Sequence, residues 1–230
     1  MYSNLEGLKS LEVFLGVKEE TLKNLLQQGE IRKYRSGETV FLDKEEVTDI
    51  YIVMDGNVSL YKINENGQKK VIFLLDKGKM VNEVIIKELP ASVNCQAFDS
   101  VELFSINKDK FMNIMKEDFE LCKNVIISLS MKTRRMYRQL KNTPPSIKIE
   151  KKLAAKIYKL GKDYGVKTEE GILINLNMTV TYIAELLGSQ RETVSRALKI
   201  LQDKKLIAYK NKKILIYDLQ EISEFFKTSW

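Results

Sequence analysis

Short apolar runs separated by turn residues dominate the chain from about residue 31 to residue 106. The runs at 50–54, 58–63 and 71–75 are typical, and turns containing glycine lie between them. Asn66-Gly67 stands between two such runs, and this dipeptide in that position is a strong hairpin signal. Many short strands at even spacing predict a small barrel or sandwich, preceded by short helices within 6–28.

The pattern changes to a helical one over residues 108–141. Apolar and small residues recur there at alternating steps of four and three, which is the seam of a long amphipathic helix. The seam consists of Cys122, Ile126, Leu129, Thr133, Met136 and Leu140. Such a seam packs either on its own barrel or on a second copy of the chain, and the basic flank of this helix favours the second copy. The two prolines within 142–146 then predict a hinge.

A second domain is predicted after the hinge, with a helix near 148–161, a short strand from Gly171, two helices and a final hairpin. The two helices lie within 179–201 and are separated by Gly188, which suits the left-handed conformation of a tight turn. Ser189 and Glu192 have the Ser-x-x-Glu spacing of a capping box. Apolar residues at helical spacing form an inner face on each helix. This pattern predicts a helix-turn-helix.

The outer face of the second helix carries groups that can read DNA. Arginine donates two hydrogen bonds to guanine, and glutamate accepts one from cytosine. This face holds Arg191, Glu192, Ser195 and Lys199, with Arg196 toward its edge. Lys210, Lys212 and Lys213 lie at the tip of the final hairpin, where lysines suit phosphate contacts. The alternative is that all of these are ordinary solvated surface charges.

Composition narrows the function classes. The chain has no histidine, which excludes Ser-His-Asp triads, Cys-His pairs and imidazole metal sites. Its net charge is +7, and residues 147–230 hold 16 Lys and Arg against 10 Asp and Glu, as suits a polyanionic partner. Two cysteines, no signal peptide and no membrane-spanning run lead us to expect a cytoplasmic protein without membrane contact. We expect neither catalytic nor metal-binding residues.

The segment Gly188-x-x-Arg191-Glu-Thr-Val-Ser-Arg196, preceded by Ile183-Ala-Glu-Leu-Leu and followed by the hairpin, resembles the cyclic-AMP receptor protein and fumarate–nitrate regulator (CRP/FNR) family. The resemblance covers nearly the whole chain. It implies an α+β fold with an N-terminal double-stranded β-roll of cyclic-nucleotide-binding type as sensor domain, a long dimerisation helix and a C-terminal winged helix-turn-helix. The implied boundaries are 1–116 for the sensor, 117–146 for the dimerisation helix and hinge, and 147–230 for the DNA-binding domain.

The resemblance also implies how the chain would act. A homodimer would bind a palindromic site in double-stranded DNA, with half-sites related to TGTGA or TTGAT, and would act with RNA polymerase. Arg191, Glu192 and Arg196 would read bases, Ser195 matches a serine of the fumarate–nitrate branch, and Thr179 would contact phosphate. The full set of expected DNA-contacting residues is Thr179, Ser189, Gln190, Arg191, Glu192, Ser195, Arg196, Lys199, Lys210, Lys212 and Lys213.

The sensor half departs from the family pattern. Where cyclic-nucleotide members have Gly-Glu-Leu and then Arg-Ser, this chain has Asn82-Glu83-Val84 and Ala91-Ser92. Without the arginine a phosphodiester loses its main charged partner, so cyclic AMP is not the expected ligand. The N-terminus has no cysteine for an iron–sulfur cluster, and the chain has no histidine for haem. An unidentified small molecule would meet the same residues, with Tyr137 and Arg138 from the long helix.

Two alternatives remain for the signal and two for the function. Cys95 and Cys122 allow a thiol response, although a free cysteine is usually a small buried apolar residue. Activity controlled only by expression level needs no effector at all. A cyclic-nucleotide-type or thiol-responsive signalling module without DNA binding, or an enzyme using carboxylates, would make no use of the helix-turn-helix.

Overall fold

The apolar runs of the first half form two sheets in the computed structural model, which describes residues 5–83, 89–141 and 147–227. The side chains of residues 140 and 141 lie outside this description. One sheet has the order β1-β7-β3 and the other β2-β6-β4-β5. The strands are β1 Gly29–Tyr34, β2 Thr39–Phe41, β3 Asp49–Asp55, β4 Val58–Ile63, β5 Lys69–Leu75, β6 Asn94–Ala97 and β7 Val101–Asn107.

Strand β3 is buried on both faces, and the alternation of its side chains divides the first unit into two cores. Tyr51 and Val53 point into the space between the two sheets, where Leu103 and Cys95 also lie. Ile50, Ile52 and Met54 point to the opposite face, against the helices. Side chains alternate between the two faces of a strand, and both faces of β3 are buried. Its sequence is therefore a continuous apolar run and does not alternate between apolar and polar residues.

The helices of this unit cover that second face. They are α1 Leu5–Lys9, a 3-10 turn at Glu12–Phe14, α2 Glu19–Gln28, α3 Lys108–Glu117 and α4 Phe119–Lys141. The helical run predicted over 108–141 is therefore correct in type but is two helices, which break at Asp118. The Asp118 carboxylate accepts hydrogen bonds from the backbone N–H of Glu120 and, at 3.4 Å, of Leu121, and so caps α4.

The same carboxylate also holds the start of α2. Its second oxygen accepts the backbone N–H of Lys18 at 3.0 Å and the hydroxyl of Thr21 at 2.8 Å. Burial opposes the charged form of Asp118, but these donors outweigh it and lower the pKa of the carboxyl. One buried side chain therefore fixes the starts of two helices that are about 100 residues apart in sequence.

Helix α4 turns its buried stripe toward the β-roll, one position away from the predicted seam. Leu121 and Val125 are buried there. Of the seam, Leu129 packs partly on the same core, Cys122 is half-buried and Thr133 is exposed. Ile126 and Met136 are 54% and 52% exposed in the single chain. The Leu140 side chain lies outside the described residues.

Contacts divide the described chain into two units, one within 1–62 and 71–138, the other within 63–70 and 139–230. The second has a four-stranded sheet in the order β10-β11-β9-β8. Its elements after α4 are α5 Ile149–Tyr164, β8 Gly165–Thr168, β9 Gly171–Ile174, α6 Val180–Leu187, α7 Arg191–Asp203, β10 Ile207–Lys210, β11 Lys213–Ile216 and α8 Leu219–Lys227. Strand β8 and helix α8 were absent from the sequence prediction. The fold is α+β, a β-roll with helices followed by a winged helix-turn-helix.

Within the described ranges, no helix combines the length and the apolar character that crossing a bilayer requires.

We expect Asp118→Asn to lower the free energy of unfolding by about 1–3 kcal/mol, because an amide NH₂ in place of one carboxylate oxygen would leave at least one backbone N–H, that of Lys18 or those of Glu120 and Leu121, without an acceptor. The pKa of Asp118 is lowered by folding, so its contribution is complete above the ordinary aspartate pKa of about 3.9 and disappears as pH falls through the lower folded value. Chemical denaturation between pH 7 and pH 3 measures this difference.

The matched control is Asp109→Asn, at an exposed aspartate in the first turn of α3. Its effect should stay below about 0.5 kcal/mol at neutral pH. Equal stability losses in the two variants, or a loss for Asp118→Asn that is as large at pH 3 as at pH 7, would contradict the capping role.

Candidate nucleic-acid interface

Helices α6 and α7 pack against each other through the inner faces that the sequence predicted. Ile183, Ala184 and Leu186 are buried on α6. Val194, Ala197, Leu198 and Leu201 are buried on α7. The two helices therefore form one hydrophobic corner, which leaves the polar side of α7 in solvent.

The turn between the helices depends on Gly188. This residue has φ 61° and ψ 45°, in the left-handed region that glycine adopts without strain. The backbone N–H of Ser189 donates to the carbonyl of Ala184, and that of Gly188 donates to Glu185, as in a Schellman motif. The predicted role of this glycine is confirmed by its backbone geometry.

The predicted capping box at the start of α7 is wrong. The N-cap is Gln190 rather than Ser189, and no side chain caps the helix. Because the helix begins one residue later than the box requires, Glu192 lies in its first turn with its carboxylate exposed. An acidic residue there still interacts favourably with the helix dipole. Glu192 is therefore available for an outside partner.

The predicted DNA-reading side chains share one exposed surface on α7. Arg191, Glu192, Ser195, Arg196 and Lys199 are all exposed. They follow the 3.6-residue period of the helix, with the first three in its first two turns. Gln190 is also exposed and Ser189 is half-buried at the turn. The structure thus brings together the arginine, carboxylate and hydroxyl groups that suit base edges.

The β10–β11 hairpin is the wing, and it is anchored to the residue before α6. The backbone N–H of Met178 donates to the carbonyl of Lys212 at 2.7 Å, and the Tyr209 hydroxyl donates to the carbonyl of Met178 at 2.9 Å. Burial raises the pKa of Tyr209, which keeps this hydroxyl a donor. Thr179 follows directly and caps α6 by accepting the N–H of Tyr182. The wing tip and the cap of α6 are therefore adjacent.

The wing tip holds two residues in the left-handed region. Asn211 has φ 53° and Lys212 has φ 62°, between the paired residues Lys210 and Lys213. A two-residue hairpin loop with both φ values positive is a type I′ turn, whose second position favours glycine. Lys210 and Lys212 are exposed, and Lys213 donates to the Asn175 side chain at 3.1 Å. The wing thus presents lysine where glycine would fit with less strain.

The residues expected to hold an effector are largely engaged within the first unit. Asn82 is buried, accepts the backbone N–H of Tyr51 and donates to the carbonyl of Asp49. Ala91 is buried in the core between the sheets, and its backbone pairs with Lys44 and Glu45. Ser92 is exposed. Val84 lies outside the described residues.

Glu83 is fully buried and meets two side chains of α4. It accepts the Ser128 hydroxyl at 2.7 Å and the Lys132 ammonium at 2.5 Å. Burial lowers the pKa of Lys132, while the carboxylate of Glu83 acts in the opposite direction. Sequence reasoning missed Ser128 and Lys132 as partners of Glu83. Helical periodicity could have placed both on the stripe of α4 that carries Leu121 and Val125, but it does not identify Glu83 as their partner.

The other residues predicted to take part in sensing differ in their exposure to solvent. Tyr137 and Arg138 are exposed on α4. Cys95 is completely buried, and burial raises the pKa of its thiol far above the usual range, which suppresses the reactive thiolate. Cys122 is half-buried. The environment of Cys95 therefore argues against a thiol response at that position.

The described geometry defines a class of protein, a β-roll domain followed by a winged helix-turn-helix domain. Comparison of the sequence with family profiles agrees with this class. Residues 31–118 match the profile "Cyclic nucleotide-binding domain", and residues 151–225 match "Crp-like helix-turn-helix domain". The chain belongs to the CRP/FNR family of transcription regulators, and its helix-turn-helix domain is a DNA-binding domain.

Relatives and solved structures of this class align with most of the chain. The Global nitrogen regulator of Synechococcus elongatus is 27% identical over 203 residues, which cover 86% of this chain and 90% of that protein. A CRP-like cAMP-activated global transcriptional regulator of Mycobacterium tuberculosis is 22% identical, with 95% and 97% covered. A CRP/FNR-family regulator from Thermus thermophilus shares the fold, with a TM-score of 0.72, 21% identity, and 86% and 99% covered.

We expect Lys212→Gly to stabilise the wing and weaken DNA binding together. Glycine removes the strain of a left-handed lysine, a gain of about 1 kcal/mol. Loss of one phosphate contact should weaken binding similarly for all sequences and reduce the salt slope by about 1. Chemical denaturation measures the first effect, and fluorescence anisotropy on a random-sequence duplex at several salt concentrations measures the second.

Lys205 provides the matched control, because it is an exposed lysine with φ 55° at the far end of α7. Lys205→Gly should raise stability to a similar extent and leave the salt slope unchanged. If both variants change the slope equally, the wing tip has no special part in phosphate binding.

Proposed function

We propose that the chain is a sequence-specific transcription regulator that inserts the first turns of α7 into the major groove of DNA. The observation that supports this most directly is the single exposed surface formed by Arg191, Glu192, Ser195 and Arg196 on a helix with a fully apolar opposite side. The donors and acceptors of this surface match those that base edges present in the major groove.

Phosphate contacts would come from the elements on either side of α7. Thr179 caps α6, where the backbone N–H groups at a helix N-terminus favour an anion. Lys210 and Lys212 are exposed on the wing. The hydrogen bonds through Met178 connect these two places, so that they would meet the DNA backbone as one preformed unit. Such contacts would position α7 without themselves reading sequence.

The functional unit would be a homodimer paired along α4. The exposed apolar side chains of the predicted seam support this, since Ile126 and Met136 are more than half exposed in the single chain and Tyr137 lies beside them. A twofold dimer of helix-turn-helix domains matches a palindromic site. Half-sites related to TGTGA or TTGAT, and action together with RNA polymerase, are proposed from the family resemblance, and the cytoplasmic location is proposed from the composition.

The domain boundaries proposed for this function are 1–116 for the β-roll sensor, 117–146 for the dimerisation helix and hinge, and 147–230 for DNA binding. Cyclic AMP is not the proposed effector. Ala91 stands where the resemblance expects a phosphate-binding arginine, and Ala91 is 3% exposed. Any effector would therefore lack that charge-assisted contact.

Selection of binding sites from a random duplex pool tests base reading by α7. We expect the wild type to enrich one palindrome. Arg191→Ala should lose about 1–3 kcal/mol on that site and relax one base pair. Glu192→Gln should shift preference at one cytosine position and lower the melting temperature by at most a few degrees, because no side chain caps α7 and only the interaction of the charge with the helix dipole is lost.

Lys204→Ala is the control, at an exposed position beyond the C-terminal end of α7. It should select the wild-type palindrome. Identical sites for the wild type, Arg191→Ala and Glu192→Gln would exclude α7 as the reader. Enrichment of a single half-site would contradict the dimer, and no enrichment by the wild type would favour a signalling module without DNA binding.

A further inference from the structure

We propose that the Glu83–Lys132 ion pair occupies the place of a small-molecule effector and holds α4 on the β-roll, so that the protein binds its DNA site without one. This inference rests on the proposed function. It starts from two charged side chains that the structure buries together, where an effector was expected to meet Glu83.

All three donors of Lys132 and both oxygens of the Glu83 carboxylate already have partners within the chain. An ammonium group has three donors. Lys132 directs them to the carbonyl oxygens of Met80 and Val81, at 2.9 and 3.2 Å, and to the Glu83 carboxylate. The other oxygen of that carboxylate accepts the Ser128 hydroxyl. A ligand binding to Glu83 would have to displace contacts that the protein itself supplies.

The cluster also joins elements that are distant in sequence. Glu83, Met80 and Val81 follow β5 in the β-roll, whereas Ser128 and Lys132 lie in the middle of α4. Five residues from two separate segments thus form four hydrogen bonds across the boundary between roll and helix. A shift of α4 along the roll would break all four, and so the cluster defines one position for the helix.

The ion pair is also buried. The Glu83 side chain is 0% exposed and that of Lys132 is 15% exposed. Breaking a buried ion pair by removing one partner leaves an uncompensated charge, whereas replacing both partners by well-packed apolar side chains of similar volume is often neutral for stability. The role of the ion pair in holding α4 can therefore be separated from its contribution to folding. The double variant removes the pair without leaving an uncompensated charge, whereas the single variant leaves one.

The test uses the full chain as wild type, Lys132→Met, and the double variant Glu83→Leu with Lys132→Met. Amide hydrogen exchange over residues 119–133 reports how firmly α4 is held, the melting temperature reports folding, and anisotropy on the selected duplex reports DNA affinity. Arg134→Met is the control, since it removes one charge from an exposed side chain of the same helix.

We expect Lys132→Met to melt at lower temperature, to exchange faster over 119–133 and to lose at least about tenfold in DNA affinity. The double variant should recover most of the melting temperature but neither the exchange protection nor the DNA affinity. Arg134→Met should resemble the wild type in exchange and melting. A double variant that binds DNA with wild-type affinity would contradict the proposal that the ion pair holds α4 in the position needed for DNA binding.

The effector part of the proposal has its own test. Wild-type protein unfolded in denaturant, dialysed and refolded should bind the selected duplex within about twofold of its original affinity, and addition of a small-molecule cell extract should change nothing further. A refolded protein that binds only after the extract is added would overturn the proposal. If neither preparation binds DNA, the proposed function fails, and the exchange measurement still decides whether the pair holds α4.

Discussion

The position of α4 depends on how the protein satisfies the carboxylates buried beside this helix. Asp118 at its start accepts four hydrogen bonds, two from the helix it caps and two from the start of α2. Glu83 meets the middle of α4 through Ser128 and Lys132. A buried carboxylate without hydrogen-bond partners destabilises the fold, whereas a solvated one does not. Helix α4 must therefore lie where these contacts can form. Between them, Leu121 and Val125 supply non-directional burial. The polar contacts therefore set the register of the helix, and the apolar ones hold it there.

The features that local chemistry determines were predictable from the sequence. Gly188 predicted the turn between α6 and α7, because few other residues adopt its conformation without strain. Apolar periodicity predicted the inner faces of both helices. Helix α8 was missed because the segment is short and follows a hairpin. Asp218 caps its first turn, and Ile222 and Phe226 pack on the rest of the domain. Ser189 and Glu192 were misread as a capping box, since the helix starts one residue later than the spacing requires.

The sensor half was less predictable because its contacts join segments far apart in sequence. Nothing near Glu83 indicates that Lys132, 49 residues away, is its partner. The ligand role expected for Glu83 came from the family pattern, which describes positions and not the surrounding side chains. In the DNA-binding half, by contrast, Arg191, Glu192, Ser195 and Arg196 lie on one helix face, so their exposure follows from local periodicity alone. The sequence therefore predicts the DNA-binding residues of this regulator better than it predicts the contacts within its sensor half.

Binding of sheared DNA from the source genome tests the central claim most directly, that α7 and the wing of two paired chains recognise particular sites. Fragments retained at physiological salt would be sequenced, and the mass of the complex on a retained duplex would be measured. We predict that a small set of fragments binds at least about 10³-fold more tightly than bulk DNA, with two chains on each. Uniform retention of all fragments, or one chain on each duplex, would contradict the account.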